Sequence, residues 1–294
     1  MVFTDGFSGT EQQDLRAQYF DKTVKGFAMA EYKFKQALTI SPTSAWKNTF
    51  YREEPTALAG QAGGAIKGVP RLAQFPAAVK EWQKITGTII KYGLEIEISW
   101  EDILSNDVDV QERSMRRLAE GIAKAVDDQI WIELGGTGTT VGINSFSILG
   151  RGWDESSATI IDDLGKAAML MAQNNYPTSK LICFISPKDR RSIMNYVAEK
   201  GAQFPSLGTA AATNGYVGSL AGVDFVVSNS VTASNALVVV PQQCATWKEL
   251  VGMKTTTKED DYIKVTLRGV EEGMVQVTDP KAICLIIGTQ KNAS

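Results

Sequence analysis

The sequence has no histidine among its 294 residues. Histidine is the commonest general base and the commonest metal ligand in proteins, so its absence argues against many kinds of catalytic and metal site. Cysteine is scarce as well: Cys183, Cys244 and Cys284 lie far apart, in apolar or small-residue surroundings. An odd number of isolated cysteines predicts buried, reduced thiols and a protein made in a reducing cytoplasm.

Long apolar runs and a strong net charge are missing too. No run approaches the ~18 apolar residues of a membrane span, and the N-terminus lacks the charged-then-apolar pattern of a signal peptide. The net charge of −3 argues against tight nucleic-acid binding by the whole surface. Hydrophobic residues form 44% of the chain and charged residues 21%, which is typical of a globular fold rather than a disordered one. We expect a soluble protein with a sizeable core and no membrane partner.

Active-site motifs are also missing, and no serine stands in a nucleophile-elbow context. The glycine-rich residues 135–142 follow a helix, whereas a dinucleotide loop follows a strand and opens a helix, so we interpret this run as a helix stop and surface loop. Adjacent carboxylates on a helix point about 100° apart and do not face one site. We therefore interpret three acidic pairs as solvated faces or helix-start charges: Asp127 with Asp128, Asp162 with Asp163, and Asp260 with Asp261. The sequence predicts no enzymatic activity and no catalytic, cofactor or metal site.

Residues 106–134 are predicted to form one long amphipathic helix. Its apolar side chains recur at three- and four-residue steps and therefore stack on one face, namely Met115, Leu118, Ile122, Val126 and Ile130. Gly135 and Gly136 are expected to end the helix, because glycine takes the left-handed conformation at little cost. At ~1.5 Å per residue the helix spans roughly 40 Å, long enough to support two separate parts of a flat protein.

Basic side chains lie on the remaining faces of this helix: Arg113, Arg116, Arg117 and Lys124. Two interpretations are open for the arginines. They can pair with Glu112 and Glu120 at helical spacing, as on any solvated helix face. Alternatively, they form a small basic patch that faces phosphate groups.

The first 45 residues are predicted to form an arm. Helical signals run from residue 14 to residue 38 with irregular spacing, and Ser41-Pro42 should end the helix. Because a free terminus is usually disordered unless something holds it, we expect a neighbouring subunit to hold the arm. Deletion of residues 1–41 is then expected to leave a soluble subunit that does not assemble stably.

Residues 46–100 are predicted to form a long two-stranded excursion. The return strand, residues 92–100, alternates apolar and polar side chains, and the outgoing strand is residues 46–53. A glycine-rich segment lies between them, and a loop this long is unusual inside a compact domain. We expect it to leave the domain and contact another subunit through the residues at its tip: Gly60, Gly63, Gly64, Lys67 and Arg71.

The second half of the chain alternates helix and strand signals, which predicts an α/β unit over residues 157–241. Helices are expected at residues 157–173 and from Pro187 onward, with Ile193, Met194 and Val197 on the apolar side of the second one. The expected strands are residues 181–185, 223–227 and 236–240. In the tail we expect strands at residues 262–268, with Ile263, Val265 and Leu267 inward, at 274–277 pairing with them, and at 282–287 as a buried closing strand.

In this order, these parts resemble a tailed-bacteriophage or tailed archaeal virus major capsid protein of the Hong Kong-type (Johnson) fold. KYGLEIEISWEDILSNDVDV, residues 91–110, resembles the return strand of that family's extended loop running into its spine helix. IAKAVDDQIWIELGGTGTTVGI, residues 122–143, resembles the end of the spine helix and the loop after it. GSLAGVDFVVSNSV, residues 218–231, is similar to a strand of the axial domain.

The resemblance implies an α+β subunit with an N-terminal arm, an extended β-hairpin loop, a peripheral domain that holds the spine helix, and an α/β axial domain. The expected boundaries are residues 1–45 for the arm, 46–100 for the extended loop with its strands, and 101–156 for the spine helix with its following loop. Residues 157–241 would form the axial domain, 242–280 the peripheral strands, and 281–294 a C-terminal strand of the axial domain.

The function implied is that of a major capsid protein that self-assembles, as pentamers and hexamers, into an icosahedral head around double-stranded DNA. The expected location is the virion, assembled in the host cytoplasm, and the expected partners are a portal and separate scaffolding or decoration proteins. In this family the spine helix lies toward the shell interior, which would point some of Arg113, Arg116, Arg117 and Lys124 at phosphates or at a scaffold. Contacts with the packaged DNA would be weak and non-specific. The alternative is an encapsulin-type nanocompartment, which uses the same fold to enclose a cargo enzyme.

Overall fold

The computed structural model describes residues 9–53, 71–72, 82–104, 108–138, 140, 142–148, 151–200, 219–260 and 263–291. Its helices are α1 (Gly9–Glu31), α2 (Trp100–Leu104), α3 (Val108–Glu133), α4 (Ile160–Ala172) and α5 (Pro187–Glu199). The strands of the first half are β1 (Thr39–Pro42), β2 (Lys47–Glu53), β3 (Trp82–Thr88), β4 (Ile90–Ser99) and β5 (Asn144–Ser147). The remaining strands are β6 (Leu181–Ile185), β7 (Ser219–Leu220), β8 (Val223–Val227), β9 (Asn235–Val239), β10 (Ala245–Asp260), β11 (Lys264–Val277) and β12 (Ile283–Ile287).

The long helix α3 supports a four-stranded sheet with the order β1-β10-β11-β4. The five apolar residues that the helical spacing placed on one face are all buried, which confirms that prediction. Gly135 has φ +90°, the left-handed conformation expected of a residue that ends a helix. The prediction that residues 135–142 form a surface loop is wrong at its start, because Gly135 and Gly136 are buried and Gly136 lies against the indole of Trp131.

The four-stranded sheet differs from the prediction in its tail strands. β11 is one continuous strand that pairs with β4 on one side and β10 on the other, so residues 262–268 and 274–277 do not pair with each other. β10 itself was not predicted. Ile263 was expected to point inward, but it precedes the strand and is 66% exposed, whereas Val265 and Leu267 are buried as expected.

The six-stranded sheet has the order β5-β12-β9-β6-β8-β7, with α4 packed on β12. The helices and strands expected over residues 157–241 are all present, although α4 begins only at Ile160. Helix α5 starts with Pro187 after a capping box in which Ser186 and Asp189 bond each other's backbone N–H groups. It buries Ile193 and Val197, which confirms the predicted apolar side. The closing strand β12 lies between β9 and β5, so β5, expected among the peripheral elements, belongs to this sheet.

The arm packs on its own chain over its described residues. Helix α1 contacts α3 and β10, and its buried residues Phe20, Val24 and Ala28 recur at four-residue steps. The helix ends at Glu31, not at residue 38. The backbone of the turn that follows donates two hydrogen bonds to Asp127 of α3, and β1 then joins the four-stranded sheet. The described part of the arm is therefore held by its own chain, and removing residues 1–41 would open the subunit's own core. Contact of the arm with a neighbouring subunit stays a prediction.

The outgoing and return strands of the predicted excursion are present, but they do not pair with each other. β2 pairs with β3 in a separate two-stranded sheet, and β4, which was expected to be the partner of β2, is an edge strand of the four-stranded sheet. The physical reason is a break in pairing at Ile89, which is 3% exposed and separates β3 from β4. The three cysteines are free and buried, which confirms the prediction of reduced core thiols.

Candidate interaction surfaces

The β2–β3 hairpin exposes large apolar side chains outside both main sheets. Trp46, just before β2, is 49% exposed, and Tyr51 within β2 is 56% exposed. Two strands alone form a marginally stable structure in water, and exposed aromatic side chains are typical of protein–protein contact sites. This hairpin is therefore the first candidate for contact with another chain.

Arg52 connects the hairpin to the body of the subunit. Its Nε donates a hydrogen bond to the carbonyl oxygen of Val277 at 3.1 Å, and the backbone N–H of Ile89 donates to the carbonyl of Trp46 at 3.1 Å. Burial lowers the pKa of the Arg52 guanidinium, and the charge of nearby Glu133 opposes that effect. A cavity of about 250 Å³ lies between the hairpin, the end of α3 and β11. Arg52, which pairs with Gln83 near the far end of the hairpin, thus holds that end against β11.

The predicted tip residues are only partly described. Gly60, Gly63, Gly64 and Lys67 lie outside the described residues. Arg71 is described and is exposed in a turn beside Leu72, whose φ of +65° is a left-handed conformation that is rare for a branched residue. Their role in contact between subunits stays a prediction.

The basic residues predicted on α3 share its exposed side. Arg113, Arg116, Arg117 and Lys124 are all exposed. Arg116 pairs with Glu120 at 3.1 Å and four-residue spacing, as the first interpretation of these arginines expected. An exposed pair of this kind contributes little to stability. The four basic residues, called the α3 stripe below, therefore keep most of their positive charge available for other contacts.

Two carboxylates of the acidic pairs, which were interpreted as solvated faces or helix-start charges, are buried, although Asp163 does lie in the first turn of α4. Asp163 is 7% exposed and accepts a hydrogen bond from Nε1 of Trp153 at 3.0 Å. Asp127 is 3% exposed and accepts from the backbone N–H groups of Lys33 at 2.8 Å and Phe34 at 3.3 Å. The missed signal was in the sequence, since Asp127 falls on the apolar side of α3 beside Val126.

A second buried carboxylate also holds the end of the arm. Glu271 on β11 is fully buried, accepts from the Tyr32 hydroxyl, and pairs with Nζ of Lys35 at 2.5 Å. Burial, and the nearby charge of Glu271, raise the pKa of Tyr32. The arm thus ends in a polar cluster in which the Lys35 ammonium compensates the Glu271 charge, which is what a buried carboxylate requires.

Nothing in the described part of the chain suggests catalysis. A cavity of about 420 Å³ beside α5 is lined by side chains of both charges and by Trp153 and Tyr196, without a nucleophile bonded to a base among these residues. No group of three or more acidic, cysteine or histidine side chains in these residues could hold a metal ion. No helix there is long and apolar enough to cross a membrane.

Comparison with known proteins places these surfaces in context. A family described as phage capsid protein matches residues 82–286 of the chain. No curated protein sequence matches it. The chain is similar in structure to the capsid of the cyanophage P-SCSP1u, with a TM-score of 0.65, 17% identity, and 86% of this chain and 87% of that one covered.

Two further solved structures give similar values. The virus-like particle from Pyrococcus furiosus has a TM-score of 0.61 at 10% identity and covers 92% of this chain and 99% of its own. The mature capsid of bacteriophage PhiM1 has a TM-score of 0.59 at 13% identity and covers 87% of this chain and 86% of its own. At identities this low, the likeness establishes a common fold.

Proposed function

The chain belongs to the phage capsid protein family, and from this we propose that it assembles, as pentamers and hexamers, into an icosahedral viral head around double-stranded DNA. Its α+β architecture is the Hong Kong-type capsid fold that the sequence resemblance implied. The family and the fold make it a structural shell protein rather than a member of an enzyme family. Its expected location is accordingly the virion.

The observation that carries the proposal is the β2–β3 hairpin. It lies outside both main sheets, is anchored by Arg52, and exposes Trp46 and Tyr51. A single subunit obtains little stability from such an extension, because two strands without a covered apolar face are marginal in water. The same extension supplies anchoring aromatic side chains when it lies on a second copy.

In the proposed shell, the two main sheets belong to different domains of the subunit. We assign the four-stranded sheet with α1 and α3 to the peripheral domain. The six-stranded sheet with α4 and α5 is assigned to the axial domain, together with β5 and the closing strand β12. In this assignment the axial domains meet around the fivefold and sixfold axes, and the hairpin reaches over a neighbouring subunit.

The exposed stripe on α3 supports a weak contact with packaged DNA. Four basic side chains suffice for local attraction to phosphates, while the net charge of −3 keeps the subunit from binding DNA tightly. Such weak, sequence-independent contact allows the genome to leave the head. A portal and a separate scaffolding or decoration protein complete the proposed assembly in the host cytoplasm.

An encapsulin-type nanocompartment is the alternative, and the enclosed material distinguishes it from a viral head. Particles from a virus-producing culture would be treated with nuclease, opened with denaturant, and analysed for DNA and for other proteins. The proposal expects long double-stranded DNA that survives nuclease until the particles are opened. Particles that protect no DNA and release a single enzyme would refute the viral function and support the nanocompartment.

A further inference from the structure

The turn that follows α1 joins the two main sheets. The ring of Phe34 is fully buried and lies 5.7 Å from the indole of Trp131 on α3 and 4.3 Å from the ring of Phe184 on β6, measured between ring centroids. Helix α3 packs on the four-stranded sheet, whereas β6 is a central strand of the six-stranded sheet. One side chain of the arm thus fills the junction between the two halves of the subunit.

The backbone of this turn is held mainly by one side chain. The Asp127 carboxylate accepts the N–H groups of Lys33 and Phe34 with its two oxygen atoms, at 2.8 Å and 3.3 Å. These bonds set the direction in which the Phe34 side chain leaves the backbone. The position of the Phe34 ring therefore depends on the state of the Asp127 carboxyl group.

Water can reach Asp127 from one side. A cavity of about 340 Å³ is lined by Asp127 and Lys124 of α3, by Lys33 of the arm turn, and by residues 228–230, which follow β8. The cavity therefore opens at the junction of the two sheets. A carboxyl group that borders such a cavity can exchange protons with solvent without unfolding of the subunit.

We propose that the docked turn of residues 32–35 fixes the angle between the two sheets. We further propose that the protonation state of Asp127 controls the equilibrium between the docked and the released turn. The proposal rests on the two backbone hydrogen bonds, the enclosed Phe34 ring and the cavity between the sheets. It concerns the single subunit and so stands or fails independently of what the shell encloses.

The charges around Asp127 determine the direction of the effect. Burial raises the pKa of Asp127 to about 7, the two backbone N–H groups oppose that rise, Asp128 adds to it, and Lys33 opposes it. The other charged or titratable groups near the turn come from three elements: Glu120 and Lys124 from α3, Glu31, Tyr32 and Lys35 from the arm, and Glu249 and Glu271 from the sheet. The turn after β8 contributes only serine and asparagine to the cavity.

The direction of the pH effect follows from the difference in proton binding between the docked and the released turn. When the turn is docked, Asp127 holds its proton up to a pH of about 7, and when the turn is released the hydrated carboxyl returns toward the usual value of about 4. The docked state therefore binds more protons between these two pH values, and raising the pH favours release. The opening equilibrium should increase about tenfold between pH 6 and pH 8, because opening gains a factor of ten per pH unit up to the docked pKa and levels off above it.

Backbone hydrogen exchange tests this prediction directly. Protection factors of the Lys33 and Phe34 amides would be measured at pH 6, 7 and 8 on the 294-residue protein, each corrected for intrinsic exchange at that pH. The proposal expects protection at these two amides to fall about tenfold from pH 6 to pH 8. The amides of β12, which bond to β9 and β5, should keep constant protection.

Two matched variants identify the group responsible. Asp127→Asn cannot ionise, so the protection of the turn should lose its pH dependence. Asp128→Asn removes the neighbouring half-buried carboxylate and should keep the pH dependence, with its midpoint shifted slightly to lower pH because Asp128 no longer raises the pKa of Asp127. If Asp127→Asn fails to fold, the wild-type and Asp128→Asn profiles still decide. Constant protection in the wild type, or unchanged pH dependence in Asp127→Asn, would overturn the proposal.

Discussion

The rings of Phe34 and Phe184 lie 4.3 Å apart between centroids, inclined by 33°. Phe34 belongs to the arm and Phe184 to the central strand of the six-stranded sheet, so this contact joins the first and second halves of the chain. Because Phe34 is fully buried, the arm is part of the core of the subunit as well as a candidate for contacts outside it.

We predict that Phe34→Ala lowers the free energy of unfolding by about 3–5 kcal/mol, because it leaves a cavity between two packed aromatic rings. Tyr51→Ala, which shortens a 56% exposed aromatic side chain on the hairpin, should change it by no more than about 0.5 kcal/mol. Urea unfolding of both variants measures the difference. Equal stability of the two variants would mean that Phe34 is not part of the core.

A pair of glycine substitutions tests the local packing of the two halves. A Cβ atom at Gly136 would lie 2.1 Å from the Trp131 ring, so Gly136→Ala should destabilise the subunit by about 1–3 kcal/mol. Gly165 lies within α4 with no atom near its missing Cβ, so Gly165→Ala should stabilise the subunit by roughly 0.5–1 kcal/mol. Thermal unfolding of the two variants should shift the midpoint in opposite directions. Shifts in the same direction would contradict this assignment.

The hairpin anchor should matter more for assembly than for folding. Arg52→Gln removes the hydrogen bond to the Val277 carbonyl, which should cost about 0.5–1.5 kcal/mol of subunit stability and a much larger share of particle yield. Lys84→Gln removes the same charge from an exposed position on the same hairpin and serves as the control. Particle yield would be measured by sedimentation. A normal yield from Arg52→Gln would indicate that the orientation of the hairpin is unimportant.

DNA contact by the α3 stripe should appear only at low salt. Each phosphate contact contributes about 0.9 to the slope of log affinity against log salt concentration, so Arg113→Gln with Arg117→Gln should reduce that slope by about 1.8. Arg116→Gln should reduce it less, because Glu120 already pairs with Arg116. Filter binding over a salt series gives the slopes. Tight binding by the wild-type subunit at physiological salt would contradict a weak, non-specific contact.

Regular periodicity predicted α3 and its buried face well, because the helix has a wide apolar stripe and a glycine stop. It predicted the short strands Leu181–Ile185 and Val223–Val227 for a similar reason, since short, mostly apolar runs between turns leave few alternatives. The packing of α1 was missed because its stripe includes Ala28, which a search for large apolar residues passes over. A helix or strand is therefore predictable from the sequence when the side chains that it buries form a recognisable pattern within its own residues.

Pairing and burial across the chain were less predictable. The partner of β2 is set by the break at Ile89, and the partner of β11 is the long strand β10, whose many lysines and threonines give no clear alternation. Asp127 and Asp163 belong to acidic pairs that were interpreted as solvated faces or helix-start charges. Trp153, a near neighbour in the sequence, stabilises Asp163 in the core, whereas the distant turn of the arm supplies the donors to Asp127. No local pattern predicts the donors to Asp127, so this part of the junction required the structure.

Cryo-electron microscopy of the purified, assembled protein tests the central claim most directly. The account predicts a closed icosahedral shell in which the six-stranded sheets of neighbouring copies meet around fivefold and sixfold axes and each β2–β3 hairpin lies on an adjacent subunit. A preparation in which the folded chain stays monomeric or forms only small discrete oligomers, with the hairpin free of contacts, would contradict it.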